Sequence, residues 1–175
     1  RTHADSQASY NALSAFYYST SPENWVSNGV DVGNWLNTLN PCHWNTSIIG
    51  CTDGIVDNLY FGNSLITGTL PSEIGYLTSL TVIQIYSDAL YGTVPTEIGK
   101  LAGQISDELT LARSLISGQL PTELGMATNL QKFLRLHKNE LSGTIPTELG
   151  QMTENANAMY FHQNDLTGTL PTQLG

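Results

Sequence analysis

The sequence predicts an α/β solenoid, a curved rod in which each coil contributes one short strand to a parallel sheet. One octapeptide recurs five times in the 175 residues, and its copies begin at Gly68, Gly92, Gly118, Gly143 and Gly168. The starts are 24, 26, 25 and 25 residues apart, and a fixed period in this range is typical of solenoids. Because each coil buries its apolar face against its neighbours, the fold produces an extended surface.

Apolar residues two, seven and nine positions before each octapeptide glycine predict the strand and the core of every coil. The residues at nine and seven have the period of two that is typical of a half-buried strand. The expected inward residues are Leu59, Phe61 and Ile66; Ile83, Ile85 and Leu90; Leu109, Leu111 and Ile116; Leu134, Leu136 and Leu141; and Met159, Phe161 and Leu166.

A short polar residue stands four positions before each of these glycines. Such side chains bond to the backbone of turns, and stacked along the rod they would satisfy buried amides that otherwise cost about 1 to 3 kcal/mol each. The residues concerned are Ser64, Asp88, Ser114, Asn139 and Asn164.

The combined pattern LxLxxNxLxGxIPxxLG over residues 57–175 resembles the plant-specific class of leucine-rich repeats. This class is found in receptor-kinase ectodomains, polygalacturonase-inhibiting proteins and secreted algal proteins. The resemblance implies a right-handed β/α superhelix with a concave parallel sheet, a second short strand around the Gly-x-Leu-Pro segment, and 3-10 or helical turns on the convex side. Extra residues in 101–108, 129–133 and 153–158 are expected to bulge on the convex side and leave the sheet in register.

Residues 1–56 lack the repeat and resemble the N-terminal cap that precedes such repeats. Apolar residues at helical spacing predict a helix from about residue 5 to residue 19, with Asp5 and Ser6 as N-caps. Trp25, Trp35 and Trp44 supply apolar mass that would cover the first coil. The chain ends on the last octapeptide, so we expect an open fifth coil and a piece of a longer protein.

The two cysteines, Cys42 and Cys51, are expected to form a disulfide. The bond would close a ten-residue loop and stabilise the fold by about 2 to 3 kcal/mol, whereas the alternative is two buried thiols. Together with few lysines and the glycosylation sequon at Asn45, the pair favours an extracellular or cell-surface protein. The spacing of cysteine and histidine does not match a zinc site.

Composition and motifs argue against several function classes. Fifteen acidic residues against six basic ones give a formal net charge of -9, which disfavours nucleic acid and anionic membranes as partners. No apolar run is long enough to span a bilayer, and no catalytic or phosphate-binding motif occurs. We therefore expect a protein that is not an enzyme and has no cofactor or metal. The recurring glutamates are expected to form a solvated stripe, at Glu73, Glu97, Glu123 and Glu148.

The outward positions of the strands gather the sharpest functional signal. Three of the six basic residues fall there, at Arg113, Arg135 and Lys138, with histidines and tyrosines around them. We predict that they bind an anionic extracellular ligand, either a protein or an acidic polysaccharide, because Arg pairs with carboxylate or sulfate and Tyr stacks on flat groups. The alternative is a merely solvated sheet face. The candidate ligand-binding residues are Tyr60, Gln84, Tyr86, Arg113, Arg135, His137, Lys138, Tyr160 and His162.

Two rival functions follow from other features. The protein could be a structural subunit that packs into an extracellular assembly through its open end and convex side. Regular threonine columns also resemble ice-binding surfaces, although threonine simply suits a strand. The columns are Thr69, Thr93, Gln119, Thr144 and Thr169, and Ser72, Thr96, Thr122, Thr147 and Thr172.

Overall fold

Two parallel arrays of strands run along the rod in the computed structural model, which describes residues 3–21, 25, 35–44, 47–62, 66–86, 89–152 and 157–174. The strands are β1 Ile49–Thr52, β2 Ile55–Gly62, β3 Thr67–Thr69, β4 Val82–Tyr86, β5 Ala89–Gly92, β6 Glu108–Ala112, β7 Leu115–Gln119, β8 Phe133–Arg135, β9 Glu140–Gly143, β10 Ala158–Tyr160 and β11 Asp165–Leu166. The larger sheet has the order β1-β2-β4-β6-β8-β10, and the smaller one β11-β9-β7-β5-β3. The predicted solenoid with two strands per coil is confirmed.

The larger sheet keeps the period of the sequence. From β2 onward its strands are parallel, and Val82 pairs with Glu108, which pairs with Phe133. The coil between β5 and β6 has extra residues, which lie in a short helix, α2 (Gly99–Ala102), and in the turn after it. The prediction that insertions leave the sheet in register is therefore confirmed for the coils from Val82 to Tyr160; residues 153–156 lie outside the described residues.

The convex side consists of short 3-10 turns, as the resemblance implies. Each turn begins directly after the octapeptide proline, and in the first three turns this proline is the N-cap residue with an extended backbone, as at Pro71 with φ -76° and ψ 150°. The turns are Ser72–Tyr76, Thr96–Ile98, Thr122–Met126, Thr147–Met152 and Thr172–Leu174.

The core lies between the sheets and the convex turns. The predicted inward residues of the first four coils are all buried, and Leu59, Ile85, Leu111 and Leu136 have no exposed surface. In the fifth coil the corresponding positions are only partly buried, and Leu170 is 73% exposed. Burial is thus complete where a coil is covered on both sides, by another coil or, for the first coil, by the N-terminal segment.

The octapeptide glycines allow successive coils to approach closely. Gly118 has φ +79, and a Cβ placed on it would lie 2.9 Å from Cγ2 of Thr93 in the preceding coil. Any side chain there would meet both the left-handed conformation and the threonine methyl group. Thr93 therefore has a packing role between coils.

A ladder of asparagines satisfies the backbone inside the last coils. The Nδ2 of Asn139 donates to the carbonyls of Leu111 and Leu136, at 2.8 and 3.0 Å, and its Oδ1 accepts from the N–H of Ile116. Asn164 makes the same three bonds one coil later. The predicted ladder is confirmed at these two positions. Ser114 differs, because its hydroxyl is buried without a partner, and the predicted positions Ser64 and Asp88 lie outside the described residues.

The N-terminal segment packs on the first coil through a helix and an aromatic cluster. Helix α1 spans His3–Ser19, so Asp5 and Ser6 lie inside its first turn and are not the N-caps that the sequence predicted. The ring of Phe16 lies 5.0 Å from that of Phe61, and Trp25 lies 5.3 Å from Phe61. These contacts cover the apolar end of the first coil.

A hairpin joins this segment to the repeats. Strand β1 pairs antiparallel with β2 through a turn at Asp53 and Gly54, which have φ of 52° and 75°. The repeats were predicted from residue 57, which falls inside β2, so one continuous strand belongs to both parts. The predicted disulfide between Cys42 and Cys51 is present, with a Cα–Cα distance of 5.8 Å. The sequon residue Asn45 lies outside the described residues.

Candidate binding surface on the concave sheet

Outward side chains of strands β4, β6 and β8 line a shallow cavity of about 340 Å³ on the larger sheet. The short side chains of Thr110 and Ala112, which are almost completely buried, form the floor of the cavity. Tyr86 lies at one side of it. Five predicted residues meet here. The lining residues are Gln84, Tyr86, Glu108, Thr110, Ala112, Arg113, Arg135 and His137.

The positive charge of Arg135 is neutralised by an ion pair within the sheet. Its Nη1 pairs with Oε1 of Glu108, one strand away, and its guanidinium lies 3.9 Å from the ring centre of Phe133. The Glu108 carboxylate also accepts from Nε2 of Gln84 at 2.9 Å and from the hydroxyl of Thr110 at 2.6 Å. Glu108 is only 8% exposed, and these three donors balance its charge.

Sequence reasoning missed Glu108 and Phe133, although a signal for both exists. The two residues stand ten positions before Gly118 and Gly143, and the strand period of two places that position on the same outward face. Glu108 and Phe133 are neighbours in the sheet register. Reading one more outward position would have found the partner of Arg135.

Arg113 and Lys138 are the cations that remain available. Both are exposed, both have left-handed backbones with φ of 57° and 58°, and neither makes an ion pair within the described ranges. The N–H of Arg113 donates to the carbonyl of His137, and that of Lys138 donates to His162, so the two cations follow each other on successive coils. By contrast, Lys132 pairs with Asp107 at 2.8 Å.

Two imidazoles stack beside the cavity. The rings of His137 and His162 lie 4.7 Å apart and within 17° of parallel, and Tyr160 lies 6.2 Å from each of them. Burial, and next the charges of His162 and Arg113, lower the pKa of His137 below its usual 6.5. Its Nδ1 is buried without a partner. Tyr60 lies one strand further out than the cavity, on β2, where it pairs with Gln84.

The first threonine column lies at or just beyond the ends of the strands of the smaller sheet, and the second column begins the convex turns. Pairing in the smaller sheet is offset, so Gly68 lies opposite Leu90 and Thr69 opposite Tyr91. Hydroxyls of the second column bond to the next side chain, as from Thr96 to Glu97 at 3.4 Å. An ice-binding role for these columns stays a prediction.

No three side chains of His, Cys, Asp or Glu converge in the manner of metal ligands within the ranges given above. Across those same ranges, no helix has both the length and the apolarity needed to cross a bilayer.

Comparison with known proteins identifies the repeats. The family model of the leucine-rich repeat matches residues 132–152. The chain is a leucine-rich-repeat protein. The crystal structure of PEPR1–AtPEP1 matches with a TM-score of 0.81 and 26% identity, over 94% of this chain and 22% of that chain. No curated protein sequence matches.

Two further structures extend the comparison of this leucine-rich-repeat protein. A plant peptide hormone receptor, RGFR1 in complex with RGF2, matches with a TM-score of 0.63 and 33% identity over 68% of this chain and 19% of that chain. The chain thus spans about a fifth of the length of each receptor. A plant ice-binding protein matches with a TM-score of 0.62 and 22% identity, over 94% of this chain and 58% of that chain, which shows the fold alone.

Proposed function

We propose that this protein is an extracellular recognition module whose concave sheet binds an acidic, extended protein segment. The observation that carries the proposal is the position of two exposed cations on successive coils, with Arg113 in the lining of the cavity and Lys138 one coil further along. Carboxylates spaced along an extended segment would meet both cations at once. A protein as the ligand is supported by the similarity to RGFR1, which is a plant peptide hormone receptor in complex with RGF2.

The paired residues give the surface its shape. Glu108 and the Phe133 ring hold the Arg135 side chain in place, so that Arg135 contributes a fixed edge of the cavity instead of a net charge. Tyr86, which is 38% exposed, and Tyr160, which is 36% exposed, offer flat amphipathic faces on either side. The proposal is therefore a binding function without catalysis.

The test uses a synthetic ten-residue peptide of alternating Glu and Ser as the probe. Replacing both Arg113 and Lys138 by Asn, a residue that tolerates the left-handed backbone, should weaken binding about tenfold. Lys100→Asn is the matched control, since Lys100 is an exposed cation on the convex side. Moderate salt should also weaken binding.

Two results would overturn this proposal. One is equal affinity in the double variant and the native protein, and the other is an equal loss in Lys100→Asn. Oligogalacturonate, titrated in parallel, tests the acidic polysaccharide that the sequence also suggested as a ligand, in comparison with the acidic peptide. Tighter binding of the sugar than of the peptide would reject the protein ligand.

The rival functions have direct tests. Light scattering of the purified chain measures its mass, and a mass of several subunits at micromolar concentration would favour the structural subunit. Thermal hysteresis measures ice binding. A larger thermal hysteresis of the native protein than of a Thr93→Ala, Thr144→Ala double variant would favour ice binding by the threonine columns.

A further inference from the structure

A second cleft lies apart from the concave sheet, between the N-terminal segment and the turns that precede strands β4 and β6. Its volume is about 710 Å³, which is within the range of small-molecule sites. We call it the N-terminal cleft. Its lining residues are Ala8, Ser9, Asn40, Pro41, Cys42, Asp53, Gly54, Ile55, Val56, Tyr76, Thr78, Ser79 and Gln104.

Several hydrogen-bonding side chains line this cleft without a side-chain hydrogen bond to another described residue. Those of Ser9, Thr78, Ser79 and Gln104 make no side-chain hydrogen bond within the described ranges, nor does the carboxylate of Asp53. They come from helix α1, the β1–β2 turn and two convex turns. Groups from separate elements that meet at one cleft can bond a single ligand from several directions.

An aromatic ring supplies an apolar platform beside these groups. Tyr76 is 56% exposed at the end of its 3-10 turn, and the ammonium of Lys100 lies 5.0 Å from the ring centre. Pro41 and Val56 are buried at the cleft and form part of its apolar surface. An aromatic face of this kind packs against the C–H face of a pyranose ring.

The charge of the lining selects the ligand class. No Lys, Arg or His is among the lining residues, the only carboxylate there is that of Asp53, and the nearby ammonium of Lys100 lies over the Tyr76 ring. Phosphate, sulfate and uronate ligands would therefore find no counter-charge in the lining itself. Hydroxyl, amide and carboxylate side chains instead match neutral hydroxyl groups, which both donate and accept.

We propose that the N-terminal cleft binds a neutral oligosaccharide, with Tyr76 stacked on one sugar ring and Asp53, Asn40 and Gln104 bonded to its hydroxyls. A hydrogen bond and the disulfide hold one wall of the cleft in place. Asn40 Oδ1 accepts from the N–H of Cys42 at 3.1 Å, and the disulfide ties Cys42 to strand β1. A preformed cleft loses less entropy when a ligand binds.

The experiment titrates cellotriose, laminaritriose and mannotriose separately into the 15N-labelled protein, with trigalacturonate as the acidic comparison. At least one neutral sugar should shift the amides of Ser79 and Gln104, with affinity in the millimolar range or tighter. Tyr76→Ala should lower that affinity about tenfold. Gln104→Ala should lower it a few-fold.

Tyr91→Ala is the matched control, because Tyr91 is 54% exposed and lies outside the cleft. It should leave the affinity unchanged, and so should the Arg113→Asn, Lys138→Asn double variant, which separates this proposal from the one for the concave sheet. The inference is overturned if no neutral sugar shifts the cleft amides, if trigalacturonate binds as tightly, or if Tyr91→Ala weakens binding as much as Tyr76→Ala.

Discussion

The carboxylate of Glu108 lies beneath the guanidinium of Arg135 on the adjacent strand, and the pair is the one largely buried ion pair among the described residues. Gln84 and Thr110 donate to the same carboxylate. The ion pair holds the Arg135 side chain in one position on the surface of the sheet. The contribution of the pair to the free energy of unfolding can be measured.

Glu108→Ala should lower the free energy of unfolding by about 2 kcal/mol, because Arg135 would lose its counter-charge while still partly buried. Urea denaturation measures the change. Asp107→Ala is the control, since it breaks the exposed pair with Lys132 and should cost less than about 1 kcal/mol. Equal losses in the two variants would contradict the assigned role of burial.

Gly118→Ala should destabilise the protein by about 2 to 3 kcal/mol, from the left-handed backbone and the contact with the Thr93 methyl group. Gly54→Ala provides the comparison, because Gly54 is also left-handed, with φ +75, but has open space around it. It should cost only about 1 kcal/mol. Thermal unfolding of both variants separates the two contributions, and a larger loss at Gly54 would contradict the packing argument.

Ser114→Asn should stabilise the protein by about 1 kcal/mol. The position corresponds to Asn139 in the next coil, and an asparagine there would reach the N–H of Leu90 and the carbonyls of Ile85 and Leu111 by the same geometry. The present hydroxyl is buried without a partner.

Asn139→Ser is the reverse change and should destabilise by about 2 kcal/mol, because buried backbone groups lose their partners. Chemical denaturation measures the change in the free energy of unfolding for both variants. A loss of stability in Ser114→Asn would show that the ladder does not extend to this coil.

Stability should rise with pH through the range just below pH 6.5, because of His137. Burial and the neighbouring cations lower the pKa of His137, so the unfolded chain binds its proton at a higher pH than the folded chain does. The contribution is fully present above the unfolded pKa and is lost as the pH falls toward the folded pKa. The charged neighbours are His162, Arg113, Lys138 and Arg135.

His137→Gln should flatten this dependence when the free energy of unfolding is measured between pH 5 and pH 8. A native-like slope in His137→Gln would assign the pH dependence to other groups.

Residues whose role repeats could be predicted from the sequence. Leu111 and Leu136 are buried where the period placed them, and Asn139 bonds the backbone as its position indicated. A solenoid makes this possible because the same local environment recurs in each coil.

Contacts that occur only once could not be read in the same way. The pairing of Glu108 with Arg135 depends on the register between two coils of different length. The β1–β2 hairpin was missed although Asp53-Gly54 between apolar runs is a strong turn signal. The start of α1 was placed too late because Asp5 and Ser6 resemble caps but lie within the helix.

The left-handed position after the concave strands holds Arg113, Lys138 and Gln163, with nearly the same φ in all three. Side chains of different charge and length thus occupy one backbone conformation without altering the coil beneath them. Specificity along this edge is consequently open to change by single substitutions, while the scaffold that presents them stays constant.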